Sequence, residues 1–202
     1  MKAISKLLGL ASVLTIGLCN LFPATADDHL NIFESNSEPV EEFDLNNPIT
    51  GNIIEVATKR PSFNVLVKLV KAADLEETLS ATDANYTLFA PTDEAFKELP
   101  NGTLEYLLQP ENKEVLQRVL SYHVIPQSLM ANQMTDGSLE ALGGGLSVGV
   151  NGTFVVVNNA SVIAEDIEAD NGVIHAVNRV LLPSDLQAAL SSELGIEESE
   201  IY

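Results

Sequence analysis

The sequence is poor in cysteine, tryptophan and basic residues. It has one cysteine, no tryptophan, and 10 lysine and arginine residues against 29 aspartate and glutamate residues, which gives a formal charge of −19. Because a phosphate backbone is held by clustered lysine and arginine, this composition excludes nucleic acid as a partner. It also disfavours binding to anionic membranes. The acidic excess favours solubility, with attraction to cationic surfaces as the alternative.

The first 26 residues have the pattern of a secretory signal peptide. Lys2 and Lys6 precede an apolar run from Leu7 to Phe22, and Ala24-Thr25-Ala26 supplies small residues for cleavage. The run is too short and too interrupted for a membrane anchor, so no stable membrane insertion is expected. We predict a secreted protein, either extracellular or periplasmic.

Cleavage after Ala26 would also remove the single cysteine, Cys19. The exported protein would then have no disulfide and would depend on a hydrophobic core, which a chain of about 150 residues can build. Both ends of this chain are acidic. We expect an acidic disordered spacer over residues 27–47, one domain over residues 48–186, and an acidic tail over residues 187–202.

The segment Thr87 to Phe96 predicts a change from strand to helix. Tyr86 to Phe89 have strand-forming side chains, and Pro91 ends the strand because it has no backbone N–H. Thr92 is placed to cap a helix that begins with two acidic residues and ends at Pro100-Asn101-Gly102. A phosphate site at this helix is excluded, since there is no glycine-rich loop or Walker lysine.

Three further segments have the apolar spacing of amphipathic helices, and proline or glycine bounds several of them. These segments are Phe63 to Val70, Leu75 to Leu79 and, from about Glu111, a helix that ends at Tyr122-His123. Thr103 is expected to cap a short turn that runs to Leu108. One more helical turn is predicted around Leu186 to Leu190.

The second half of the chain has the two-residue period of β-strands. Four strands are predicted: Leu146 to Val150, Thr153 to Val157, Ser161 to Ile167 and Val173 to Leu182. Asn151-Gly152 predicts a tight hairpin between the first two strands, because both residues accept positive φ. Helices first and a β-meander last indicate an α+β domain.

Three segments together resemble the fasciclin, or FAS1, domain family. They are YTLFAPTDEAF from Tyr86, LSYHVIP from Leu120 and NGVIHAVNRVLLP from Asn171. They are similar to the family's N-terminal, Tyr-His and C-terminal motifs, and the resemblance covers about Pro48 to Leu186. It implies a β wedge packed on a layer of short helices, and an extracellular role in adhesion without catalysis.

Four residues are candidates for partner binding. By its resemblance to animal fasciclin domains, the pair Tyr122-His123 is expected near a receptor-contacting surface, although both residues also suit a structural role. Asp166-Ile167 occupies the place of an Asp-Ile pair that some animal members use in integrin recognition. The neighbouring Glu165 and Glu168 make this segment more acidic, so an integrin is not expected. The alternative for this pair is strand alternation, with Ile167 inside and the carboxylates outside.

No cofactor, metal or catalytic residue is predicted. Asp166, Glu168 and Asp170 are spaced like the start of a calcium loop, but the glycine comes late, at Gly172, and Val177 stands where the bidentate glutamate belongs. His123 has neither a nucleophile nor an orienting acid in its sequence neighbourhood. We therefore predict a non-enzymatic module that binds a cell-surface or matrix protein or glycan, in an unknown oligomeric state.

An alternative function is transport of an apolar small molecule. Some algal proteins that resemble this family bind carotenoids. An apolar slot between the sheet and the helices would be lined by residues such as Ile125 or Val177. Co-purification of a pigment or lipid would distinguish such a carrier from an adhesion module.

Overall fold

The computed structural model describes residues 50–152 and 154–195. The predicted signal peptide and acidic spacer therefore lie outside the described residues. In the part of the chain that the structure describes, no helix is long and apolar enough to cross a membrane.

Short helices make up most of the first half of the described chain. The α-helices are α1 Ile53–Thr58, α2 Asn64–Ala72, α3 Glu76–Ser80, α4 Asp93–Lys97, α5 Thr103–Leu107, α6 Lys113–Tyr122 and α7 Ser184–Leu194. Three 3-10 turns lie at Pro61–Phe63, Pro110–Asn112 and Ala131–Gln133. The three helical segments expected from their apolar spacing are all present.

The strands form one mixed sheet. They are β1 Tyr86–Pro91, β2 Val124–Ile125, β3 Gly137–Ala141, β4 Gly144–Asn151, β5 Phe154–Val157, β6 Ala160–Ala169 and β7 Gly172–Val177. Among the described residues their spatial order is β2-β1-β7-β6-β5-β4-β3, in which the β1–β7 pair is parallel and the other five pairs are antiparallel. The Leu142 N–H donates to the Val124 carbonyl at 2.8 Å, so one end of β3 closes back toward β2.

Strands β1 and β7 are buried on both faces, because each separates two hydrophobic cores. Leu88 and Ile174 face the core that the helices cover, whereas Phe89 and Val177 face a core enclosed by the curved sheet. Strands buried on both sides read as continuous apolar runs rather than as alternating ones. The expected α+β fold, a β wedge against a layer of helices, is the observed one.

Helix caps test two of the sequence predictions. The Thr92 hydroxyl accepts the Ala95 N–H at 3.3 Å, so the predicted cap of α4 is confirmed. The predicted Thr103 cap is wrong, because Gly102 is the N-cap of α5 and Thr103 is fully buried with no hydrogen-bond partner for its hydroxyl. Gly102 has φ 89°, a left-handed conformation that glycine adopts at little cost.

The predicted strands need three corrections. Strand β7 ends at Val177 rather than at Leu182, and the residues after it are buried without pairing in the sheet. Asn151 pairs with Phe154, so the hairpin turn begins at Gly152, one residue later than predicted. Gly152 has φ 64° and can supply the positive φ that tight hairpins need. Strand β3 was missed, because its glycine and exposed polar residues give a weak alternating pattern.

Helix α7 is longer than the single turn predicted, and it overlaps the predicted tail over residues 187–194. Leu186 and Leu190 lie one turn apart and are both buried in the helical core. Arg118 of α6 forms an ion pair with Asp185 at 2.6 Å. Packing of one apolar stripe onto the domain therefore stabilises a helix whose sequence is otherwise polar.

Candidate functional site

Tyr122 and His123 lie at the junction between α6 and β2, with both side chains inside the protein. Tyr122 is 7% exposed, and its hydroxyl donates to the Gly145 carbonyl at 2.9 Å and accepts from the Asn158 side chain at 3.1 Å. His123 is 1% exposed. The Leu181 N–H donates to its Nε2 at 2.9 Å, and its Nδ1 contacts the Val119 carbonyl at 2.8 Å.

These contacts indicate which ring nitrogen of His123 carries the proton. Since Nε2 accepts a hydrogen bond, Nδ1 carries the proton and donates to Val119, and the ring is neutral. Burial lowers the pKa of His123 from 6.5 to about 4, although the bond to the Val119 carbonyl opposes that shift. Both ring nitrogens are engaged by backbone groups, so neither is available as a general base or a metal ligand.

The depressed pKa of His123 predicts a loss of stability in acid. Between pH 6.5 and about 4 the unfolded chain binds a proton at this residue and the folded chain does not. The free energy of unfolding that neutral His123 contributes is therefore complete above pH 6.5 and decreases as the pH is lowered. The expected decrease is about 2 kcal/mol between pH 7.5 and 5. We expect His123→Asn to be less stable than the wild type at pH 7.5 but to lose about 2 kcal/mol less over this interval. Urea unfolding at both pH values measures the difference, and equal losses in the two proteins would contradict the assignment.

Asp166 lies in a β-bulge of β6 and points outward. Ala164 pairs with Ala176 and Ile167 pairs with Ile174, so β6 has one residue more than β7 between these pairs. Asp166 takes φ 57°, in the left-handed region that costs non-glycine residues about 1 kcal/mol or more. The extra residue breaks the alternation of the strand, and Asp166 is exposed with 37% of its side-chain surface accessible.

His175 holds this bulge from the interior side. The Asp166 N–H donates to Nδ1 of His175 at 3.2 Å, and Nε2 of His175 lies 2.9 Å from the Leu129 carbonyl. Since Nδ1 accepts, Nε2 is the protonated nitrogen and donates to Leu129. Burial lowers the pKa of His175, while the Leu129 carbonyl and the charges of Asp166 and Glu165 oppose the shift. The ring is also tilted against Phe89, with centroids 5.7 Å apart.

A loop that follows the Tyr-His segment completes the site. Oδ1 of Asp166 accepts the Ala131 N–H at 2.8 Å. The Thr87 hydroxyl on β1 accepts the Leu129 N–H at 2.8 Å and donates to the Gln127 carbonyl at 2.7 Å. Strands β1, β6 and β7 thus hold the loop at three points. We call Asp166 together with loop residues 127–131 the bulge surface.

The four predicted partner-binding residues have different positions relative to this surface. Asp166 is part of it, and Ile167 is partly buried and packs against the helical core. Tyr122 and His123 lie in the interior, and the loop that contacts Asp166 begins just after the strand that follows them. The structure therefore connects the two predicted pairs through one loop. Their role in partner binding remains a prediction.

Sequence reasoning missed three contributors to this site: Thr87, His175 and the 127–131 loop. His175 does pack inside β7, but it also fixes the bulge and the loop. The sequence does contain a signal for two of these residues. Thr87 and His175 are polar side chains in strands that are otherwise buried and apolar. A polar group in such a place needs a hydrogen-bond partner. Among the described residues, no group of three or more His, Cys, Asp or Glu side chains could hold a metal ion.

Charge is distributed unevenly between the helical layer and the sheet. The sequence has no lysine or arginine between Arg118 and Arg179, a stretch that contains β2 to β7. The same stretch has six carboxylates, at Asp136, Glu140, Glu165, Asp166, Glu168 and Asp170. The bulge surface therefore lies in a region whose formal charges are all negative.

Comparisons with known proteins agree with this architecture. A family model described as fasciclin domain matches residues 61–183. Protein sll1483 of Synechocystis sp. is 48% identical over 132 residues, which cover 65% of this chain and 73% of that protein. Transforming growth factor-beta-induced protein ig-h3 of Sus scrofa is 38% identical over 140 residues, which cover 67% of this chain and 20% of that protein.

A solved structure is similar in fold. A FAS1 domain pair from the insect cell adhesion molecule fasciclin I matches with a TM-score of 0.59 and 17% identity, over 75% of this chain and 53% of that chain. At this identity the likeness concerns the fold alone. The helices and the seven-stranded sheet described above are thus those of a known architecture.

Proposed function

The chain belongs to the fasciclin domain family, and from this premise we propose that it is a non-enzymatic module that binds a cell-surface or matrix protein or glycan. One structural neighbour, the FAS1 domain pair, comes from an insect cell adhesion molecule, which supports the proposal by analogy. The predicted signal peptide, residues 1–26, is consistent with a secreted protein in the extracellular space or the periplasm.

The proposal rests on the fixed and exposed position of Asp166. A left-handed, exposed aspartate on a strand is an unfavourable arrangement that the surrounding structure must stabilise. Here a buried histidine and a loop amide both hold it, and the result is a carboxylate in a fixed position at the surface. We infer that this carboxylate and the loop beside it contact the partner, because a fixed polar group lowers the entropic cost of binding.

We expect Asp166→Asn to weaken attachment without unfolding the domain. The amide oxygen can still accept the Ala131 N–H, so the variant removes the charge and keeps the contact that holds the loop. The expected loss is about fivefold in attachment to surfaces coated with the extracellular fraction of the producing organism. Detachment of protein-coated beads under flow measures it, and the urea midpoint confirms that the fold is retained.

Glu111→Gln is the matched control, since Glu111 is exposed in the 3-10 turn before α6 and is outside the bulge surface. It removes one negative charge as well and should leave attachment unchanged. Equal attachment by wild type and Asp166→Asn would contradict the site assignment. Ile167 is not substituted in this test, because it packs against the core and its truncation would change stability.

Tyr122 and His123 have a supporting role in this proposal. Their buried side chains hold the end of α6, the turn at Asn158 and the segment at Leu181, so they position the strand that leads into the loop. A partner would reach them only after a local opening of the domain. A hydrolytic role for His123 is not proposed, since its ring nitrogens are occupied by backbone groups.

The carrier alternative stays a prediction. Ile125 and Val177, which were expected to line an apolar slot, are fully buried in the core enclosed by the sheet. A ligand at this place would have to displace packed side chains. The free-energy cost would be about several kcal/mol, similar to the stability lost when a core residue is truncated. Native mass spectrometry of protein secreted by the producing organism, with an absorption spectrum, tests for a bound pigment or lipid.

A further inference from the structure

The carboxylate of Asp166 lies between two groups that can bind it. Its Oδ1 accepts the Ala131 N–H at 2.8 Å and lies 4.0 Å from Nδ1 of His175. The backbone N–H of Asp166 donates to the same Nδ1 at 3.2 Å, which requires that this ring nitrogen has no proton. The observed arrangement of the bulge surface is therefore the one that belongs to neutral His175.

A proton on Nδ1 would change the contacts on this side of the ring. Nδ1 would become a donor that faces the Asp166 N–H, a second donor, so their hydrogen bond would be lost. Asp166 has φ 57°, a strained conformation that this bond helps to hold. The Asp166 carboxylate is an acceptor of opposite charge, and a hydrogen bond between charged groups is about twice as strong as a neutral one. Nε2 would keep its bond to the Leu129 carbonyl, because this nitrogen is protonated in both states.

The surroundings of His175 determine where it titrates. Burial lowers its pKa from 6.5, and this is the largest effect. The Leu129 carbonyl and the charges of Asp166 and Glu165 oppose the shift. The other side chains of the loop and of β7 are not ionisable, and β1 faces the ring with Phe89. The ring is therefore neutral at pH 7.5 and gains its second proton below pH 6.5.

We propose that His175 is a pH switch for the bulge surface: when the ring gains a proton, the Asp166 carboxylate leaves the Ala131 amide and binds the ring. The loop stays attached at Leu129, through both Nε2 of His175 and the Thr87 hydroxyl, so the release is confined to the part near Ala131. The carboxylate is then paired with a buried cation and no longer offers a free negative charge to a partner. This regulation rests on the proposed function, because its effect on attachment requires that Asp166 contacts the partner.

NMR of the full chain between pH 7.5 and 5 tests the switch itself. We expect the amide signals of Asp166 and Ala131 to shift in one step, with the same midpoint as the ring signals of His175. The protection of the Ala131 amide against hydrogen exchange should fall about tenfold across this step, since one hydrogen bond is lost. The Leu129 amide should keep its protection, because its bond to Thr87 does not depend on the ring.

His175→Asn should abolish the step at Ala131. The oxygen of the asparagine amide can replace Nδ1 as the acceptor for the Asp166 N–H, and it gains no proton in this pH range. A second variant keeps the ring in case the first is too unstable to study. Glu165→Gln removes one of the two charges that favour the protonated ring and should lower the midpoint by about 0.3 pH unit. Glu140→Gln is the matched control, since it removes an exposed carboxylate from β3 and should leave the midpoint unchanged.

Attachment under flow tests the consequence of the switch. The wild type is expected to lose about fivefold in attachment between pH 7.5 and 5, as Asp166→Asn does at pH 7.5, whereas His175→Asn should keep its attachment. No step at Ala131 in this range, a step that persists in His175→Asn, or equal midpoints in Glu165→Gln and Glu140→Gln would overturn the switch and leave the proposed function intact. A normal step at Ala131, with attachment that neither acid nor Asp166→Asn reduces, would reject the bulge surface as the attachment site and keep the switch.

Discussion

Replacement of Gly172 by alanine is expected to destabilise the domain by about 4 kcal/mol, because it combines a steric overlap with a strained backbone. Gly172 opens β7 directly opposite Tyr86 of β1, with φ 152°. A β-carbon at this position would overlap the Tyr86 carbonyl oxygen and lie 2.9 Å from the Tyr86 nitrogen. The overlapping atoms belong to the backbone of β1, so they cannot move without disturbing the parallel pair of β1 and β7.

Gly149→Ala is the matched control for Gly172→Ala. Gly149 also lies in a strand, but a β-carbon there would meet no heavy atom within 4 Å. Alanine loses less conformational entropy than glycine on folding, so the control should be neutral or stabilising by about 0.5 kcal/mol. Urea unfolding with two probes of structure measures both variants. A loss under about 1 kcal/mol for Gly172→Ala would show that β1 and β7 can separate at this point.

Replacement of Asn171 by alanine is expected to cost about 3 to 5 kcal/mol, because one buried side chain satisfies three backbone groups. Its Oδ1 accepts the Ile53 N–H at 2.8 Å, and its Nδ2 donates to the carbonyls of Leu79 and Ala81 at 2.8 and 2.9 Å. Alanine would leave the three groups unpaired, two of them in the interior and the Ala81 carbonyl at a partly buried position. We expect the amides of α1 to lose protection first, since the bond at Ile53 holds the start of that helix.

Two further variants separate the hydrogen bonds of Asn171 from general packing. Asn171→Asp keeps an acceptor for Ile53 but places oxygen against two carbonyls, so it should be at least as destabilising as alanine at pH 7. Asn178→Ala removes a comparable bond to the Ser161 N–H at an exposed position and should cost under about 1 kcal/mol. Hydrogen exchange and urea unfolding report the two effects. Equal losses for Asn171→Ala and Asn178→Ala would contradict the role given to Asn171.

Local sequence predicted the elements that depend on local chemistry. The helix after Pro91 begins at its predicted threonine cap. The chain turns between two predicted strands at Asn158-Asn159, with a positive φ at Asn158, a residue that tolerates it. Prediction failed at positions where a neighbouring residue or a tertiary contact overrode the local sequence preference. Thr103 was expected to cap a helix, but Gly102 takes that place and Thr103 is buried. Helix α7 continues beyond its predicted single turn because two leucines find a packing surface on distant segments.

The segment that contains the candidate site could be predicted from the sequence, but its three-dimensional arrangement could not. The resemblance to the fasciclin family located Asp166-Ile167, and strand alternation suggested that the isoleucine points inward, as it does. Nothing in the local pattern indicates the bulge of β6 at Asp166, because a bulge is defined by the register of the partner strand. The bond between Asp166 and Ala131 joins residues 35 positions apart, and that between His175 and Leu129 joins residues 46 apart.

The sequence by itself determined the family, the α+β class, the acidic character and the helical segments, since these follow from composition, local spacing and motifs that stand in fixed order. Only the tertiary structure decided which residues are accessible. It buried Tyr122 and His123, turned Ile163 outward instead of Ile167, and connected the Tyr-His segment to Asp166 through a loop held by three strands. The reason is physical: hydrogen-bond partners and strand register are set by segments far apart in the chain, and no local preference specifies them.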